Sequence, residues 1–97
     1  QLVTRAARLG VIDCQFNLGA LYEDGVGMAR SPAEAAFWYG VAARSGDRDS
    51  QAKLADLEAQ LSPADRDAVR RRVQAFRPET GNPRANGEFG RLSWTAS

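Results

Sequence analysis

The chain contains no histidine and a single cysteine, Cys14. Without an imidazole there is no Ser-His-Asp or Cys-His arrangement within these residues, and a Cys/His zinc site is excluded with it. One thiol has no partner for an intramolecular disulfide. Long apolar runs are missing as well, since no stretch approaches the roughly 18 to 20 residues that a bilayer span needs. A surplus of one charge sign is missing too: 13 basic against 12 acidic side chains leave +1, which gives little pull toward nucleic acid or an anionic membrane. Only one of the basic residues, Lys53, is a lysine. There is no basic leader followed by an apolar stretch and a small-residue cleavage site. Gln1 opens the chain inside a helical pattern with no initiator Met, so the segment reads as a piece of a longer protein.

What is present is repetition. The 97 residues, 43% hydrophobic and 26% charged, suit one small globular unit or part of an array. The stretch AARLGVIDCQFNLGALYEDGVG from Ala6 is echoed 36 residues later by AARSGDRDSQAKLADLEAQL from Ala42. Ala-Ala-Arg, a glycine, an aspartate, a glutamine and two leucines keep register.

Each copy reads as helix, glycine break, helix. Residues 2–9 carry the last turns of a first helix, and Gly10 supplies the positive φ favoured just past a helix end. Asp13 is placed to cap a second helix, along which Cys14, Leu18, Leu21 and Tyr22 recur at helical spacing with Phe16 and Gly19 beside them. Gly25 and Gly27 stop it. Ser31, Pro32 and Glu34 form a start signal with a capping box, predicting a third helix over 32–44. Gly46 ends that helix as Gly10 ended the first, and Asp49 stands where Asp13 stood. A fourth helix is expected over 49–61, and Ser62, Pro63 and Asp65 open a fifth with Val69, Val73 and Phe76 on one side. Residues 62–77 thus form a capping helix and 78–97 an irregular tail held by whatever Phe89, Leu92 and Trp94 touch.

Two helices in a 36-residue period are the pattern of an all-α solenoid, in which each hairpin buries its face on its neighbours. Ala7, Gly19, Ala36 and Ala43 let helices approach, while Leu18, Leu21, Trp38 and Tyr39 fill the space around them. The pattern Ala7, Gly10, Gln15, Asn17-Leu18-Gly19, Tyr22, Gly25, Gly27, Glu34-Ala35, Trp38-Tyr39, Ala42-Ala43 and Gly46 resembles the Sel-one-like repeat, a relative of the tetratricopeptide repeat. The match covers one complete and two partial repeats over 1–61, with Met28 in place of the usual valine and Ser31 in place of a common aspartate. It implies a right-handed helix-turn-helix solenoid that binds proteins or cell-wall polymers rather than a catalyst. The C-terminal stretch LSPADRDAVRRRVQAFRPETGNPRAN is similar to the end of the repeat region in alphaproteobacterial polar localisation factors of the PodJ type, through Ser62-Pro63, Phe76-Arg77-Pro78 and Ala85-Asn86. In those proteins the repeats are periplasmic.

Candidate chemistry thins out on inspection. Cys14 shares its register with Ser50, which reads as a small packed position rather than a redox centre. Asp13, Glu23, Asp24, Asp47 and Asp49 lack the ligand spacing of a calcium loop and read as caps and solvated positions. Arg70 to Arg72 follow Asp65 and Asp67 and read as a solvated helix face. Trp38 and Tyr39 read as core, and Gly25 and Gly27, with no strand before them and no Lys-Ser/Thr after, as a turn. No cofactor or metal is implied.

A solenoid presents an inner face built by the first helix of each pair, here the second and fourth helices. Its polar positions Gln15, Asn17, Glu23, Gln51 and Lys53 are the candidate contacts for a protein partner or peptidoglycan. Gln15 and Asn17, which recur in the resembled family, serve equally well as hydrogen-bonding groups to neighbouring turns. Three roles stay open: a periplasmic polarity or envelope scaffold, a cytosolic adaptor or signalling regulator, and an enzyme whose catalytic domain lies outside this segment.

Overall fold

The structure, a computed structural model, describes residues 2–79. The expectations placed on Phe89, Leu92, Trp94 and the Ala85-Asn86 pair lie outside the described residues. Five helices follow one another: α1 Leu2–Arg8, α2 Ile12–Asp24, α3 Pro32–Arg44, α4 Arg48–Glu58 and α5 Pro63–Ala75. The architecture is all-helical, with no strand among the described residues.

The turns after α1 and α3 are the same object. Gly10 and Gly46 both sit at φ 100°. In the first turn the Gly10 N–H donates to Ala7 O and the Val11 N–H to Ala6 O. In the second, 36 residues on, Gly46 donates to Ala43 O and Asp47 to Ala42 O. This pairing of a left-handed residue with two reversed backbone bonds satisfies carbonyls that the helix end leaves open.

The caps of α2 and α4 depart from the sequence reading by two residues. Asp13 does not cap α2: the N-cap is Val11, which makes no side-chain cap bond, and Asp13 lies in the first turn. In the second copy the cap is Asp47, whose carboxylate accepts from the Ser50 N–H at 2.9 Å, so α4 runs over 48–58 rather than 49–61 with Asp49 inside it. The second copy offers two acids, Asp47 and Asp49, where the first has Val11 and Asp13, and in both the glycine turn places the first of the two positions half in the helix. Ser31 and Ser62 do cap, accepting from the N–H groups of Glu34 and Asp65 at 3.2 Å each. Glu34 does not complete the box; its carboxylate pairs with Arg72 of α5.

Packing centres on α3, which touches α2, α4 and α5, while α1 packs on α2. Nine consecutive residues, Ala35 to Ala43, are buried, so α3 is covered on all sides and has no solvent stripe. Close approach depends on two helical glycines. A Cβ at Gly19 would stand 2.9 Å from the Tyr39 ring, and one at Gly40 would stand 2.7 Å from Val73 Cγ2. Gly19 was legible in the sequence, but Gly40 was not. Leu18, Tyr39 and Leu57 are fully enclosed, Trp38 is 5% exposed, and Leu21 is half-buried against this core. Beyond α5 the chain folds back over α1: the Glu79 N–H donates to Arg8 O at 2.8 Å and Pro78 lies against Gly10.

Candidate functional site

The polar positions of the first helices, α2 and α4, divide into two kinds. Gln15 Nε2 donates to Ala7 O at 3.1 Å, reaching back eight residues to the turn before its helix. Gln51 Nε2 makes the equivalent bond to Ala43 O at 3.3 Å. Both glutamines therefore clamp the glycine turn, each in its own copy. Gln15 is 1% exposed, with Oε1 enclosed and lacking a protein partner; in this arrangement it offers nothing to a partner molecule. Gln51 does the same work while exposed. The structural alternative raised for Gln15 is the one its geometry takes.

Asn17, Glu23 and Lys53 stay accessible. Asn17 is exposed on α2. Glu23, near the end of α2, accepts the Tyr39 hydroxyl hydrogen at 2.8 Å, and Lys53 Nζ of α4 lies 3.9 Å from the same carboxylate oxygen. Three helices thus meet at one carboxylate. Burial, then the hydrogen bond and charge of Glu23, then the charge of Asp24 hold the Tyr39 hydroxyl protonated well above the ordinary phenol range. Lys53 remains about half exposed, so this charge pair is weak as a structural tie and available as a surface feature.

A second region was not anticipated. Helices α1, α3 and α5, Tyr22 of α2 and the segment after α5 border a groove of about 310 Å³. Its floor is aromatic: Phe37 and Trp38 meet edge to face at 4.8 Å between ring centres, and Phe76 packs edge-on to both at 6.1 and 5.9 Å. Arg8, Arg72 and Arg77 stand around it with Glu34 and Glu79. Arg72 pairs with Glu34 and lies 4.2 Å above the Phe37 ring, so the RRR run is not a uniformly solvated face. Arg70 pairs with Glu58 at 3.3 Å. Arg77 bonds the carbonyls of Gln74 and Phe76, and Arg44 holds those of Val73, Gln74 and Phe76 at the end of α5. Sequence reading missed the groove because Phe76 reaches Phe37 only through the α3–α5 packing, which no local pattern encodes. The signal available was the Phe76-Arg77-Pro78 element itself.

A smaller hollow of about 170 Å³ lies between α3, α4 and α5, lined by Gly40, Leu54, Val69 and Val73 among others. Among the described residues no three His, Cys, Asp or Glu side chains converge as metal ligands. No described helix is long and apolar enough to cross a membrane. No protein-family model, curated protein or solved structure matches the chain.

Proposed function

We propose that this chain is a non-enzymatic binding module, a short right-handed solenoid of Sel-one-like repeats that serves as a protein-protein interaction scaffold. The observation that carries this reading is the 36-residue recurrence of a complete local device: a glycine at φ 100°, two reversed backbone bonds and a glutamine clamp. A recurrent turn of fixed geometry stacks successive hairpins in the same orientation, which is how a solenoid grows.

The resemblance of the C-terminal stretch points to the periplasmic part of a bacterial polarity or envelope localisation factor. A partner protein, or peptidoglycan, then meets the face of α2 and α4 through Asn17 and the Glu23–Lys53 pair. Capture from separated envelope and cytosolic fractions of the source cell tests the assignment. An envelope protein or peptidoglycan retained by the chain and released from a folded Asn17→Ala, Lys53→Ala variant supports it. Retention of cytosolic proteins alone moves the module to a cytosolic adaptor.

A further inference from the structure

The five helices separate charge by their place in the pair. The first helices, α2 and α4, carry Asp13, Glu23, Asp24, Asp49, Asp56 and Glu58 against only Arg48 and Lys53. The second helices, α1, α3 and α5, carry Arg5, Arg8, Arg44, Arg66, Arg70, Arg71 and Arg72 against Glu34, Asp65 and Asp67. A net charge near zero therefore hides two helix sets of opposite sign.

The aromatic groove is lined mostly by the basic set and the segment after α5, with Tyr22 of α2 at one side. Arg72 is neutralised by Glu34, which leaves Arg8 and Arg77 facing the lone Glu79 carboxylate at its rim. The Arg8 guanidinium is exposed, and the Arg77 guanidinium spends one nitrogen on backbone carbonyls and keeps its charge. Half-buried Phe76, backed by the buried Phe37 and Trp38 rings and flanked by two guanidiniums against the one Glu79 carboxylate, matches a ligand that brings an apolar side chain and carboxylates together. We propose that this groove docks an acidic peptide segment of a partner protein, with an apolar side chain against half-buried Phe76 and flanking carboxylates on Arg8 and Arg77. It is a second surface beside the α2–α4 face and rests on the reading of the chain as a binding module.

The test is anisotropy of the fluorescein-labelled peptide Glu-Glu-Leu-Phe-Glu-Glu titrated with the full chain. Binding is expected, weakening with salt, and falling at least about tenfold for the Arg8→Glu, Arg77→Glu double variant. Arg8→Gln, the milder change, falls between, and Arg48→Glu on α4 stays at the parent value; circular dichroism confirms the helices of each. Equal binding of Lys-Lys-Leu-Phe-Lys-Lys, or of a peptide of glutamates alone, overturns the groove assignment. So does binding to phosphatidylglycerol vesicles with none to the peptide, which makes the basic face a membrane contact. No peptide binding by a chain that still captures an envelope protein through Asn17 and Lys53 sinks the groove and leaves the scaffold reading standing; peptide binding by a chain that captures no protein supports the groove and sinks the scaffold.

Discussion

The Tyr39 hydroxyl on α3 donates to the Glu23 carboxylate on α2 at 2.8 Å, and this bond joins the buried central helix to the polar face of its neighbour. Replacing Tyr39 by Phe keeps the ring against Gly19 and removes only the bond, at an expected cost of about 1 kcal/mol because half-buried Glu23 regains water. The pH dependence has a definite sign. The folded chain holds Tyr39 protonated above its ordinary value, so its contribution is intact below pH of about 10 and is lost as the unfolded chain ionises above that. Thermal melts from neutral to strongly alkaline pH check this: the parent loses stability above the phenol range faster than Tyr39→Phe. Parallel curves contradict it.

The two glutamine clamps differ in burial, which separates their energies. Gln15→Ala removes the bond to Ala7 O and opens space in a 1% exposed site, with an expected loss of about 2 kcal/mol. Gln51→Ala, exposed, should cost about 0.5 kcal/mol. Urea denaturation of both variants measures the pair. Equal small losses would mean that Gln15 is not a clamp.

The first copy lacks the cap that the second possesses. Val11 holds an extended N-cap conformation, φ −75° and ψ 110°, 46% exposed and with no side-chain acceptor, where Asp47 caps α4. Val11→Asp supplies the missing acceptor to the first turn of α2, and a gain of about 1 kcal/mol is expected in the melting curve.

Gly40 is the contact point of α3 and α5. Alanine there improves helix propensity by about 1 kcal/mol, yet its Cβ would meet Val73 Cγ2 at 2.7 Å, and β-branched Val73 has little freedom to turn aside. Overpacking of about 2 kcal/mol outweighs the gain. Combining Gly40→Ala with Val73→Ala should recover about 1 kcal/mol relative to the sum of the single changes, measured as a double-mutant cycle. Simple additivity contradicts the contact.

What was legible in the sequence was local. Gly10, Gly46, Ser31 and Ser62 act within four residues of themselves, and each turn or cap forms as its spacing implies. Caps drawn from acids alone slipped, because the glycine turn places the N-cap one residue past the glycine, at Val11 and Asp47, whether or not an acid stands there. The shared register of Gln15 and Gln51 and a turn-bonding role for Gln15 were legible; the same role for Gln51, through its eight-residue reach to an alanine carbonyl, was not, since a polar side chain on an amphipathic helix normally faces water. Gly40, Arg44 and the Phe37–Phe76 contact depend on how α5 returns over α3, and nothing within either helix specifies that approach.

The 36-residue unit is tested most directly by adding one. A chain with residues 12–47 inserted again after Asp47 repeats the same junction, glycine turn and clamp. Small-angle scattering and thermal unfolding of the longer chain should show one cooperative transition above that of the parent. The longest dimension should grow by about 10 Å, the spacing of packed helices. A separate melt for the insert, or a lower transition with no growth along one axis, would contradict a stacking repeat.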